Sequence, residues 1–200
     1  MSILSKINMT HIEKPFTQIK KYIDEDLNKN KDLFQTSNDE PTPLDCCEEM
    51  IGHLPNSLWE RDNLRILDPC TGFGNFMIIL YQILKKKKKF SSKQILENVM
   101  TFNEINPLRI ELLRKIFRDD KYQLNITEVD FLEYPEDTKY DLQVVNPPYA
   151  KINESIDADG NVIYKRASKN HTLVRDFIDK SLRVCKDGGF IVYIVPNNWM

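Results

Sequence analysis

The chain has 200 residues, a formal net charge of −2, 41% hydrophobic and 29% charged residues. That length suits one sizeable core and would crowd a second full domain. No apolar run is long enough to span a bilayer, and there is no basic excess with which to grip duplex DNA over a general positive surface, so a nucleic-acid contact would be local or supplied elsewhere.

Met1 to Lys14 lacks the apolar core of a secretory signal, which makes an intracellular, cytoplasmic location the default; a host nucleus or a viral factory stays open. Ile12, Phe16, Ile19 and Ile23 recur at helical spacing, and polar Asp24 to Glu40 reads as a linker. Residues 1–40 are thus expected to be an N-terminal helix and polar linker. Thr42 can cap a helix that starts at Pro43, with Leu44, Cys47, Ile51 and Leu54 on one apolar stripe. Arg65 to Asp68 is a short buried strand, followed by the turn Pro69-Cys70-Thr71-Gly72-Phe73-Gly74 and a helix from Asn75 with Phe76, Ile79, Leu80 and Ile83 inward. Lys85 to Lys89 ends this helix, either as a solvated exit or as a phosphate-touching loop.

Val99 to Glu104 is the second strand, Asn106-Pro107 starts the next helix, Ile126 to Asp130 is a third strand and Asp141 to Val145 a fourth. His171 to Cys185 is a helix with Val174, Phe177, Ile178 and Leu182 inward, and Gly188-Gly189 leads into a fifth strand, Phe190 to Val195. Alternating strands and helices predict an α/β fold, a doubly wound, mainly parallel Rossmann-like sheet. Ala150 to Lys169 is a long polar insert with a hairpin-like Asp159-Gly160. Cys46, Cys47, Cys70 and Cys185 have the spacing of neither a metal clip nor a disulfide framework; reduced, mostly buried thiols and no metal are expected.

Ligands of such sheets bind at the carboxyl ends of the strands, near the topological switch point. Gly72 and Gly74 let the backbone approach a ligand closely, but Met77 stands where a dinucleotide fingerprint wants its third glycine, which argues against a pyrophosphate cofactor. Glu104 at the end of the second strand can accept from both ribose hydroxyls, or be a surface carboxylate. Asp130 can accept from an adenine amine, or cap a turn, and Phe131 can stack on the ring. Together these residues describe an adenosine site.

Asn146-Pro147-Pro148-Tyr149 directly follows the fourth strand and is the most specific signal in the chain. A conjugated amino group is a poor nucleophile because its lone pair is delocalised. The Asn146 side-chain oxygen and the Pro147 carbonyl can accept its two N–H groups and free that pair, with proline fixing the carbonyl direction. Tyr149 offers a flat face for the target ring. A methyl donor activated by a sulfonium charge then needs alignment more than a strong base. A base in duplex DNA would first have to leave the stack.

In order along the chain, Thr42-Pro43, Asp68-Pro69-x-x-Gly72-x-Gly74, Asn103-Glu104-Ile105-Asn106, Asp130-Phe131-Leu132, Asn146-Pro147-Pro148-Tyr149 and the tail Asp187 to Asn197 resemble the amino-methylating DNA methyltransferases of restriction–modification systems. The similarity covers roughly Pro41 to Met200. It implies an S-adenosylmethionine-dependent catalytic domain over 41–200 and, as target, the N6 amino group of a flipped adenine in DNA. It implies that Thr42, Asp68, Gly72 and Gly74 line the methionine end, Glu104 holds the ribose, Ile105 packs on the adenine with Asp130 and Phe131 binding it, and Asn146, Pro147 and Tyr149 hold the target amine. In that family the last sheet strands and a recognition domain follow, so the domain is expected to be truncated before them, with specificity supplied by a separate recognition subunit or a longer chain. Three alternatives stay open: a protein-glutamine methyltransferase, an RNA-adenine methyltransferase and a non-catalytic cofactor-binding subunit. Pro69 after Asp68 departs from the glycine-rich turn usual in the first.

Overall fold

The computed structural model describes residues 10–30, 41–148, 152–156, 162–166 and 172–195. Apolar, β-branched stretches form the strands β1 (Ile66–Asp68), β2 (Met100–Asn103), β3 (Asn125–Thr127) and β4 (Tyr140–Val145). β5 (Ile152–Ile156) and β6 (Val162–Arg166) follow, then β7 (Cys185–Tyr193). Five of them make one parallel sheet in the order β3-β2-β1-β4-β7. A strand covered on both faces reads as a near-continuous apolar run, and β4 is buried at every position. β5 and β6 pair antiparallel from Ile152↔Arg166 to Ile156↔Val162, a hairpin within the polar insert; Asp159-Gly160 lies outside the described residues.

Parallel neighbours need crossovers, and helices supply them. α1 (Phe16–Lys21) continues as a wider π turn, Tyr22–Leu27. α2 (Leu44–Gly52) and α3 (Asn56–Trp59) precede β1. α4 (Asn75–Ile83) continues into a π turn, Leu84–Lys88; α5 (Ser92–Gln94) does so into Ile95–Val99 and begins with a Ser91–Gln94 capping box. α6 (Pro107–Ile116) starts at Asn106, whose Oδ1 accepts from the Leu108 and Arg109 N–H groups. α7 (Thr172–Val184) leads into β7.

Ile12, Ile19, Ile23 and Leu27 pack into the main core with Leu44, Ile51, Phe76, Leu80, Phe102 and Leu113. The N-terminal segment therefore shares the sheet's core, and the polar stretch expected from Asp24 is helical as far as Leu27. Ile12 precedes the helix, donating its N–H to the Ile116 carbonyl. On the other sheet face, Leu67, Phe131, Tyr134, Tyr140, Leu173, Phe177 and Val184 form a second cluster. Leu182, expected inward, is 61% exposed. Val174 and Phe177 are buried as expected, the inward stripe of α7 is Leu173, Val174, Phe177, Lys180, Ser181 and Val184, and Leu182 lies five residues past Phe177, well round the helix from it.

Candidate active site

The chain passes from β1 outward through β2 to β3, then returns to place β4 on the other side of β1. The switch point therefore lies between the carboxyl ends of β1 and β4, where such sheets open a crevice. The glycine turn leaves one end and Asn146-Pro147-Pro148 leaves the other.

Gly72 and Gly74 both take left-handed backbone conformations, with φ of 58° and 84°. A Cβ on Gly72 would meet nothing within 4 Å, so there is room beside this turn, whereas one on Gly74 would sit 2.6 Å from the Phe117 ring. The side chain of Asp68, a residue 2% exposed, has among the described residues one hydrogen bond, from the Cys70 N–H to its Oδ1 at 3.2 Å. Burial pushes its carboxyl well above the usual range, the Cys70 N–H opposes this, and the Glu104 charge adds to it. A carboxylate this enclosed is poised for a cationic partner.

Two residues absent from the expected set brace this turn. The Thr71 hydroxyl, with one proton to share between them, lies 2.9 Å from the Asp68 carbonyl and 3.1 Å from the Asn103 carbonyl, and it accepts from the Asn103 N–H at 3.1 Å. The Asn103 amide, 1% exposed, donates to the carbonyls of Pro69 (3.0 Å) and Val129 (2.9 Å) and accepts from the Thr127 hydroxyl (2.8 Å). One side chain thus ties the ends of β1, β2 and β3. A polar residue ending an otherwise apolar strand was the available signal.

Glu104 follows β2. Its Oε1 accepts from the Ile105 and Asn106 N–H groups, each at 2.9 Å, and its Oε2 from the Gly72 N–H at 2.8 Å. The carboxylate is therefore at the glycine turn and is not a surface group. Ile105 beside it is 65% exposed, an unusual position for so large an apolar side chain, with Val129 at 38%.

Asp130 is exposed and lies past the end of β3, which stops at Thr127; its Oδ1 accepts from the Leu132 N–H at 2.9 Å, capping a 3-10 turn over Phe131–Glu133. Phe131 is placed differently from the expectation. Its ring, 2% exposed, packs against Phe177 and Tyr134 with centroids 5.5 and 5.8 Å apart. A ring enclosed in the core presents no free face for stacking on adenine.

Asn146 is half-buried, Pro147 buried and Pro148 exposed; Tyr149 lies outside the described residues. The Asn146 Nδ2 donates to the Thr42 hydroxyl at 3.2 Å. Thr42 is not the helix cap expected: α2 starts at Leu44 after Pro43, with no side-chain cap, and the hydroxyl is turned to Asn146 instead. The structure thus brings Asn146 to Thr42 and Glu104 to Gly72, with Asp68 just before the glycine turn and Asn75, directly after it, donating to the Thr42 carbonyl.

The lysine run stands elsewhere. α4 leaves the glycine turn and its continuation ends at Lys88, about 20 Å further along the helix. Lys87 donates to the Asn56 side chain and lies over the Trp59 ring; Lys88 donates to the Arg61 carbonyl and lies over Phe90. Of the cysteines, all free, Cys46 is exposed, against the expectation, and Cys47 is buried. Burial raises the thiols of Cys47 and Cys70, which disfavours their thiolate forms. No helix among the described residues is long and apolar enough to cross a membrane.

This sheet order, with a glycine turn after β1, defines the Rossmann-like fold of S-adenosylmethionine-dependent methyltransferases. A candidate class I enzyme of that kind from Listeria monocytogenes superposes on 94% of this chain and 57% of its own, with a TM-score of 0.63 at 17% identity. A modification subunit of a candidate type I restriction enzyme from Vibrio vulnificus YJ016 covers 90% of this chain and 37% of its own, with a TM-score of 0.56 at 14% identity. Residues 4–200 match the family described as Eco57I restriction-modification methylase, and the chain belongs to that family. Over 81 residues it is 31% identical to the Type II methyltransferase M.TthHB8I of Thermus thermophilus, a match that takes in 36% of this chain and 19% of that protein. The chain thus spans about a fifth of that relative's length. S-adenosylmethionine is the cofactor of this class. The residues fit it: a buried carboxylate short of partners, open space beside Gly72 and an exposed isoleucine next to Glu104.

Proposed function

We propose that this chain carries the cofactor-binding and catalytic core of an enzyme that methylates the N6 amino group of adenine in DNA. The observation that carries the reading is the place of Asn146: at the end of β4, across the switch point from the glycine turn, with its amide nitrogen on Thr42. That hydrogen bond is made by the nitrogen, and in this reading the side-chain oxygen accepts from the target amine. The Pro147 carbonyl accepts the second N–H, in a direction proline helps to fix. The two acceptors withdraw the amine's lone pair from conjugation and stabilise the positive charge that develops on nitrogen. Tyr149 stacks on the extruded base, offsetting part of an unstacking cost on the order of a few kcal/mol.

S-adenosylmethionine, when bound, supplies a methyl group already activated by its sulfonium charge. Asp68 pairs with the cationic methionine end, flanked by Thr42, Gly72 and Gly74. Glu104 holds the ribose, exchanging its Gly72 contact for a hydroxyl or using its remaining lone pairs. Ile105 packs on the adenine, and Asp130 accepts from its amine while capping its turn. Residues 41–200 form the catalytic domain, residues 1–40 its N-terminal helix and linker. A recognition subunit or domain supplies the DNA grip that a net charge of −2 does not.

The test is N6-methyladenine in digested DNA from cells expressing the chain with its recognition partner. Asn146→Ala should lower transfer at least about 100-fold and leave cofactor affinity within about threefold, because acceptors of this kind act mainly on the transition state. Labelled methyl found in RNA or protein but not DNA overturns the substrate. Cofactor binding without transfer to any of them overturns the activity, and collapse of cofactor affinity in the alanine variant overturns the role of Asn146.

A further inference from the structure

One buried side chain with no part in that reading joins its two halves. Asn75 is the first residue of α4, directly after Gly74, and is 5% exposed. Its Nδ2 donates to the Thr42 carbonyl at 2.7 Å and to the Asn28 Oδ1 at 3.3 Å. Its own Oδ1 is buried with no hydrogen-bond partner among the described residues. Turning the amide over would set that oxygen against the Thr42 carbonyl, acceptor against acceptor, so the two donations fix its orientation. An orphaned buried acceptor costs stability, which a plain packing residue would not.

Thr42 carries the connection onward, since its carbonyl is held by Asn75 and its hydroxyl receives the Asn146 Nδ2 at 3.2 Å. An asparagine amide has near-identical halves, and presenting NH2 to a target NH2 would oppose donor to donor. We propose that Asn75 is a positioning residue: through Thr42 it sets the orientation of the Asn146 amide relative to the cofactor turn that it directly follows. Its consequence for transfer rests on the function proposed above. Asn28 extends the chain of contacts to the N-terminal segment, making that segment a support of the site.

Two substitutions of similar volume test this: Asn75→Leu, which removes both donors, and Thr42→Val, which removes the hydroxyl. The first readout needs no substrate. The Asn146 side-chain NH2 resonance, assigned by its loss in Asn146→Ala, should move toward that of a free amide and exchange faster with solvent in both variants, and return in Thr42→Ser. In transfer assays, Asn75→Leu should lower kcat about tenfold or more with cofactor Kd within about twofold, as a misplaced group does. The double variant should be no slower than the slower single one, since both act through one contact. An unchanged Asn146 resonance in both variants overturns the proposal, as does a cofactor Kd that weakens as much as kcat falls. If Asn75→Leu does not fold, the Thr42→Val and Thr42→Ser pair decides by the same resonance. A wild-type protein that methylates no DNA removes the functional reading alone; the resonance still decides the positioning.

Discussion

Asp68 is where, on the proposed function, stability and ligand binding oppose each other. Burial raises its carboxyl, with one backbone N–H and the Glu104 charge as lesser influences. An acid whose folded pKa lies above its unfolded value binds its proton more tightly when folded. Its destabilising effect is therefore absent below the usual aspartate range and grows as pH rises through that range toward the folded value. Asp68→Asn should raise the melting temperature of the cofactor-free protein by a few degrees at neutral pH and remove this pH slope, while weakening cofactor affinity by at least about tenfold. Thermal melts across pH with calorimetric titration check it; a variant less stable than wild type at pH 7 refutes the account. Gly74→Ala should cost about 1–2 kcal/mol for the left-handed backbone alone, before the Phe117 ring, 2.6 Å from the new Cβ, has to move. Denaturant unfolding measures it. The glycines and Asp68 were legible because a turn after a strand leaves a local signature. Asn75 was not, because an asparagine's partners are chosen by which loops reach it.

β4 is held at its start by Asp141, 3% exposed, which accepts from Arg61 (2.8 Å), Lys186 (2.7 Å) and the Arg65 N–H (2.8 Å). Burial would raise this carboxyl, but the hydrogen bonds from Lys186, Arg61 and Arg65 outweigh it and hold it below the usual range. Its contribution is complete above the usual aspartate value and is lost as pH falls through the depressed folded one. Asp141→Ala should cost about 2 kcal/mol near pH 7, with the difference from wild type narrowing in strong acid. Chemical unfolding at several pH values reads both. On the opposite side of the same strand, Lys180 of α7 is buried and pairs with Glu136 at 2.8 Å, and the hydrogen bonds from Lys180 and Arg183 hold that carboxyl at about 2. Element types were legible throughout the described sheet, since alternation of apolar runs, glycine turns and proline starts is local. Their ends were not. α1, α4 and α5 each run on into a π turn, and Leu182 faces outward, because burial against β4 and β7 decides which stripe of α7 is inside.

Across the whole molecule, the helix that begins at the glycine turn carries Lys85 to Lys88 to its own far end, an edge about 20 Å away. Lys87 and Lys88 there are engaged by Asn56, Trp59, the Arg61 carbonyl and Phe90, which favours a structural exit over a phosphate contact. Lys85→Ala with Lys86→Ala should therefore leave the salt dependence of DNA binding unchanged, whereas a change in slope of about 1 per lysine would place DNA on that edge. The order of motifs and the doubly wound class were determined by sequence, because each rests on residues adjacent in the chain. Only the tertiary structure decided that Thr42 meets Asn146 from 104 positions away, that Phe131 turns inward to Phe177, and that the N-terminal helix shares the core. Those outcomes depend on which strands become neighbours and which loops then crowd one another, a competition for space and hydrogen bonds that no local pattern records.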